Sequence, residues 1–465
     1  MSALARFFML QEKQVYGYDL TPTEITSQLT AEGAHIHFDE DMSKIPVQID
    51  VVIYTPAVPK EHSAYQYFTE NQTPLLKRSE ILGIICNDYP TIAVAGTHGK
   101  TTTAAMITQI MRENKILSFI GGISKNLNSN FFCEPNFNIV IAEADEFDHS
   151  FLTLHPQVAV ITSIDADHLD VYGSHEDLKA SFQLFADQIQ PDGALVICDE
   201  IAGQITHGNK VTYGFSERTN YRITDIRYEQ GRTTFELTYK LPRPSDTPSK
   251  FERDILPPPS SLLRSTAVVP PSPFSFQLNI PGKHNVLNAV AALAAAIEFS
   301  LWKNAEIDVA HLLKTFNKNL ADFSGVKRRF DIRIQRDNFV YIDDYAHHPE
   351  EIKAFLEAVK KNYPTKKITG VFQPHLYSRT RDFVKEFAEA LEVLDEIILL
   401  DIYPAREKPI EGITSNYLLS FIKNENKKLL EKERLISYLQ RNKPEVLLTM
   451  GAGDIEKMVP VLVLN

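Results

Sequence analysis

The chain has 465 residues, 43% hydrophobic and 23% charged, too many for one ordinary core and the composition of a globular protein of roughly three domains of about 150 residues each. Its 48 Lys and Arg against 60 Asp and Glu give a formal charge of −12, which opposes nucleic-acid binding and leaves cationic groups for local pockets. No membrane insertion is expected, since no apolar run reads as the roughly 20 residues a bilayer crossing needs.

The N-terminus MSALARFFML has neither the basic start nor the cleavage site of a secretion signal. Cys86, Cys133 and Cys198 are too far apart for a disulfide framework and read as reduced thiols of a cytoplasmic protein.

In chain order, QVYGYDL, AHIHF and DVVIYTP read as strands alternating with the helical TPTEITSQLTAEG, a βαβ rhythm that implies a small parallel sheet over residues 1–86. A second region, 87–320, opens on the strand TIAVAG and has further buried-strand runs at NIVIAEAD, QVAVITSI and ALVICD. Residues 222–239 alternate around a glycine and read as an antiparallel hairpin appended to that region. Residues 241–274 are Pro- and Ser-rich and read as a long exposed loop, after which HNVLNAVAALAAAIEF is an Ala-rich helix. The third region, 321–465, shows VYIDDYA, KITGVFQPH, EIILLDIYP and EVLLTMGAG as strands of another α/β sheet.

Chemistry concentrates at Gly96-Thr97-His98-Gly99-Lys100-Thr101-Thr102, between a strand and a helix start. The glycines let backbone N–H groups approach phosphate oxygens, the helix N-terminus adds partial positive charge, and Lys100 supplies a full one. The Thr101 hydroxyl suits Mg²⁺, so ATP is the expected nucleotide. Val94 stands where a strict Walker A loop has glycine, which makes this a shorter variant. Glu143, Asp145 and Glu146 end a strand at the sheet edge where ligands bind, and carboxylate oxygens there suit Mg²⁺. His168, in the run Asp167-His168-Leu169-Asp170, ends another strand and reads as a metal or substrate contact.

These pieces, in this order, resemble the Mur ligase family of ATP-dependent amide-forming enzymes. The segment HNVLN resembles the family's adenine-contacting stretch, which points Asn288 at adenine. SGVKRRF resembles the stretch whose arginine reaches the terminal phosphates, here Arg329 first and Arg328 second. DDYAHHP resembles the motif that touches ribose, through Asp344, and the incoming amino acid, through Tyr345 and His347. The resemblance implies three α/β domains: an N-terminal Rossmann-like sheet, a central P-loop-type ATPase sheet and a C-terminal Rossmann-like sheet that closes on the centre.

FQPHLYSRTRDF and LLTMGAGDI are most similar to the alanine-adding branch, with Arg379 taking the amino-acid carboxylate and Leu376 standing where some relatives have arginine. Implied with this are UDP-N-acetylmuramate and L-alanine as substrates, an acyl-phosphate intermediate, and Glu143 and His168 as ligands of Mg²⁺, in a monomer or homodimer. Ligation of a tripeptide to the same sugar nucleotide, or ATP binding without ligation, are the alternatives. The opening residues resemble the helix that follows the family's first strand and glycine turn. The expectation is therefore a first sheet lacking its first strand and holding the sugar nucleotide through contacts such as Asp19 and Thr55.

Overall fold

The computed structural model describes all residues except 57, 167–168, 230–231, 241–272, 406, 459–461 and 463–465. It divides into two compact units, Met1–Ile223 with Leu237–Phe274 and Asn288–Asn319, and Thr224–Glu236 with Ser275–Leu287 and Leu320–Asn465. The expected Pro-rich loop lies almost wholly outside the described residues.

The first unit opens with a helix, Ser2–Leu10, whose buried Arg6 donates from Nε to Glu32 Oε2 at 2.7 Å and from Nη1 to Asn130 Oδ1 at 3.1 Å. The βαβ rhythm then gives β1 (Tyr16–Tyr18), β2 (His35–His37), β3 (Val52–Tyr54) and β4 (Leu75–Lys77). They form two separate parallel pairs, β1 with β2 and β3 with β4, and no described strand joins them. The expected single small sheet is thus two short ribbons, each a parallel pair whose strands are joined through a crossover helix.

The main sheet is built from β5 (Thr91–Ala95), β6 (Ile116–Ser124), β7 (Ser129–Cys133), β8 (Ile139–Glu143), β9 (Val158–Ile161), β10 (Ala194–Cys198), β11 (Lys210–Gly214), β12 (Tyr221–Glu229), β13 (Arg232–Tyr239) and β14 (Phe274–Leu278). Their order is β14-β13-β12-β11-β10-β9-β5-β8-β6-β7. Strands β5, β9 and β10 are buried along their whole length, which explains continuous apolar runs in place of alternation. The hairpin expected as an appendage is instead the continuation of this sheet. Tyr213 pairs with Tyr221 and Gly214 with Arg222, so β12 extends the edge at β11.

The helix Lys283–Lys303 is, among the described residues, the one long and apolar enough to cross a membrane, which corrects the reading that no such run exists. Its most apolar window is 89% buried inside the protein, and Glu298 on it accepts a hydrogen bond from Tyr221 Oη at 3.0 Å. A core helix meets the same length criterion.

The second unit carries β15 (Asp331–Arg336), β16 (Phe339–Asp344), β17 (Ile368–Phe372), β18 (Glu396–Leu399), β19 (Lys427–Leu429) and β20 (Val446–Met450), in the order β15-β16-β20-β17-β18-β19. Only β15 runs antiparallel to its neighbour. The helix Pro349–Asn362 starts with proline in its first turn and a Glu351 carboxylate reaching back to the N–H of His348 at 3.3 Å.

Candidate nucleotide and ligation site

The phosphate loop leaves β5 at Ala95. Gly96 (φ +133°) packs on Thr162 and Ser163, and Gly99 (φ +83°) caps the helix Lys100–Ile110. The left-handed φ favours glycine at 99, and a Cβ there would stand 2.5 Å from Asn288 Oδ1 and force that side chain to shift. The same contact puts Asn288 beside the loop. Val94, in the place of the Walker glycine, is fully buried in β5 and belongs to the strand.

Loop shape is held by the neighbouring strand end. His98 N donates to Ser163 Oγ at 2.8 Å, Asp165 N donates to Thr97 Oγ1 at 3.0 Å, and His98 Nε2 lies 3.5 Å from Asp165 Oδ2. Thr102 is buried in the first helical turn. Lys100 Nζ donates to Gly96 O at 2.7 Å and pairs with Glu146 Oε1 at 2.8 Å. Burial works to lower the Lys100 pKa, but the carboxylates of Glu146, Asp145 and Glu143 outweigh it and raise it.

Glu143 accepts from Thr101 Oγ1 at 3.1 Å and from Gly121 N at 2.8 Å. Burial raises its carboxyl above the usual range, against the pull of Lys100. A side chain on Gly121 would run into that carboxylate. Among the described residues no three His, Cys, Asp or Glu are grouped to hold a metal. The adjacent Thr101 hydroxyl and Glu143 carboxylate nevertheless fit Mg²⁺, a hard cation that keeps waters and phosphate oxygens for its other positions. His168 lies outside the described residues.

The second unit gathers the other candidates. Arg328 and Phe330 both have positive φ (+62° and +45°), which turns Arg328 and Arg329 to different partners. Arg328 is consumed by Asp343 (3.0 Å), Glu456 (3.1 Å) and Gly451 O (2.6 Å). Arg329 lies 5.0 Å over the Tyr345 ring and 3.7 Å from Glu351, and is partly exposed. Asp344 accepts from Phe330 N at 2.6 Å and Ala346 N at 2.8 Å, and burial pushes its carboxyl up to about 7 despite Arg329.

His347 Nδ1 is 3.1 Å from both Glu351 Oε2 and Tyr345 O, and its ring meets Tyr345 at 5.1 Å and His375 at 5.8 Å. His375 stacks on Tyr403, and burial, then His347 and Arg379, hold its imidazole down to about 4, so it is neutral at pH 7. Arg379 is buried on the short helix Tyr377–Asp382, which begins after Leu376 at φ +69°, ψ +138°. A branched side chain in that region stores strain at the turn. Asp19 and Thr55 sit at the C-terminal ends of β1 and β3.

Sequence reasoning passed over Gly121, Ser163, Asp165, His375 and Arg78, whose guanidinium lies 3.2 Å from Asp145. The basic pair Lys77-Arg78 directly after β4 was a readable signal, as was the histidine of FQPH. Gly121 and Ser163 carried none.

Fold and site together define an ATP-dependent ligase, and the chain belongs to the Mur ligase family. Residues 1–90 match the Mur ligase family catalytic domain, 94–296 the Mur ligase middle domain and 328–453 the Mur ligase glutamate ligase domain. The UDP-N-acetylmuramate–L-alanine ligase of Flavobacterium psychrophilum is 44% identical over 465 residues, spanning 99% of this chain and 94% of the relative. That of Porphyromonas gingivalis is 40% identical over 475 residues, with coverage of 99% and 95%. Among solved structures, UDP-N-acetylmuramate–alanine ligase from Thermotoga maritima superposes with a TM-score of 0.77 at 26% identity, covering 100% of this chain and 96% of that one. A murein peptide ligase from Psychrobacter arcticus shares the fold, with a TM-score of 0.68 at 18% identity.

Proposed function

We propose that the protein joins L-alanine to UDP-N-acetylmuramate with ATP, in the synthesis of peptidoglycan. The observation that carries this reading is the convergence of Lys100, Thr101 and Glu143 on a helix N-terminus that Asn288 flanks. The near-full-length relatives that carry this activity in their names supply the substrates.

In this reading Asn288 recognises adenine, Asp344 the ribose, and Gly96 to Thr102 the phosphates. The substrate carboxylate attacks the γ-phosphorus, ADP departs, and an acyl phosphate forms. Two anions meet in that step, so the site must neutralise charge, and Lys100 and Arg329 do so. Mg²⁺ held by Thr101 and Glu143, with His168 as a second ligand, would add Lewis-acid charge at the same oxygens. The alanine amine then attacks the acyl carbon and phosphate leaves. Tyr345, His347 and Arg379 hold the alanine, the guanidinium taking its carboxylate in a fork. Asp19 and Thr55 face the sugar nucleotide. We also read functional domains at 1–86, 87–320 and 321–465, a cytoplasmic location, and a monomer or homodimer.

Phosphate release from ATP with UDP-N-acetylmuramate tests the reading. Release that needs L-alanine supports it. Release that needs a tripeptide instead, or no amine at all, overturns it.

A further inference from the structure

Glu146 has no role in the chemistry above, yet it is the most deeply placed acid of the site, with a side chain that is 0% exposed. An ionised carboxylate in such a place is costly unless a cation meets it. Lys100 is a cation it meets, at 2.8 Å, and the same ammonium donates to Gly96 O at 2.7 Å. The lysine that a nucleotide's phosphates need is therefore folded back into its own loop.

The backbone that carries this carboxylate is held firmly. Tyr172 Oη donates to the Glu146 carbonyl, and Phe147 N donates to Asp145 Oδ1 at 3.3 Å. The next two residues, Asp148 and His149, both adopt left-handed backbone (φ +50° and +60°). The His149 ring lies 4.8 Å from Tyr172, with its Nδ1 3.1 Å from Ser181 Oγ. Two consecutive non-glycine residues in that conformation are unfavourable alone and persist because these contacts over-determine them. The turn fixes the backbone of Glu146 beside the loop, and the long flexible stem of Lys100 makes it the partner with more freedom to move.

We propose that Glu146 is a positioning residue that latches Lys100 and competes for it with the phosphates of a nucleotide. This rests on the reading that Lys100 meets those phosphates. The exchange leaves the Glu146 carboxylate without its ammonium, and that opposes nucleotide binding. Affinity for phosphates is accordingly weaker than the loop alone would give.

The test is calorimetric titration of wild type and Glu146→Gln with Mg²⁺–AMP-PNP, and with adenosine as a probe that has no phosphate. The amide keeps the shape and removes the charge. Glu146→Gln is expected to bind AMP-PNP about tenfold more tightly, or about 1.4 kcal/mol, with adenosine affinity unchanged. Glu146→Asp, which restores the charge, should return affinity toward wild type. A merely structural glutamate would not separate the two ligands in this way. Equal or weaker AMP-PNP binding by Glu146→Gln, or equal tightening for adenosine, overturns the latch. Should the variant fail to fold, a crystal structure of wild type with AMP-PNP decides it: Lys100 Nζ on a phosphate oxygen and more than about 4 Å from Glu146 supports the latch, and an intact 2.8 Å pair overturns it. A wild type that binds no AMP-PNP removes the ligase reading and the latch together. A wild type that binds, beside an unimproved variant, removes the latch alone.

Discussion

In the first unit the charged groups around the phosphate loop are paired among themselves: Lys100 with Glu146, Arg78 with Asp145, and Glu143 with a hydroxyl and a backbone N–H. In the second unit the cluster around His347 is built largely of rings, with Tyr345 and His375 edge-on to it, Tyr403 stacked on His375, and His375 neutral at pH 7. On the proposed reaction the first cluster would receive a polyanion by exchanging partners, and the second a small amino acid by offering surfaces and a buried guanidinium. Removing a charge should therefore disturb the first cluster in both stability and rate, and the second chiefly in substrate affinity.

Lys100→Met breaks that comparison open most forcefully. Loss of the ammonium removes charge from the transferring phosphoryl group, so phosphate release should fall by about 10³-fold. It also takes an ammonium from the buried Glu146, so urea unfolding should show a loss of about 3 kcal/mol. Full stability beside lost activity would show that the pair is electrostatically idle in the resting protein.

Acid should act on the second unit through its buried imidazoles. Burial holds both His284 and His375 at about 4, below the ordinary 6.5, so the folded state disfavours their protonated forms. Their contribution is present above pH 6.5 and is lost as pH falls toward 4, because the unfolded chain takes up the protons first. For the more deeply buried His284 this is at most about 3 kcal/mol, and less for His375, which is more open to solvent. Urea unfolding at pH 7 and pH 4.5 should show a smaller acid loss in His284→Gln than in wild type. An identical loss in both would sink this assignment.

The fold was legible wherever burial left a one-dimensional trace. β5, β9 and β10 are almost wholly apolar because they are buried along their whole length, and Gly96 and Gly99 stand where φ is positive. Partnership left no such trace. Alternation in residues 222–239 announces two-faced strands but says nothing of the edge they join, which Tyr213 and Tyr221 decide. Glu143, Asp145 and Glu146 look alike in sequence. The end of β8 sends one to Thr101, one to Arg78 and one beneath the loop to Lys100. Leu376 carries a conformation that its residue type disfavours, so the turn that presents His375 and Arg379 was unreadable from propensity.

Arg379→Lys tests the second cluster directly. A lysine keeps the charge and loses the planar fork, so KM for alanine should rise roughly thirtyfold, about 2 kcal/mol, with KM for ATP unchanged. A matching rise in KM for ATP would place Arg379 on the nucleotide.

Arg381, two residues further along the same short helix, provides the contrast with the smallest effect. Arg379 is 9% exposed, whereas Arg381 lies open to solvent and pairs with the adjacent Asp382 at 2.7 Å. A pair of neighbours on the surface shares a high dielectric, and ordering two long side chains offsets most of its attraction. Arg381→Ala should therefore change stability by less than about 0.5 kcal/mol and KM for alanine by less than about twofold. Titrating alanine against both variants under one set of conditions turns the helix into an internal control. If Arg381→Ala raises KM for alanine as far as Arg379→Lys does, recognition of the carboxylate is a property of summed charge at the helix. The buried, ring-lined geometry of the second cluster would then have no part in selecting it.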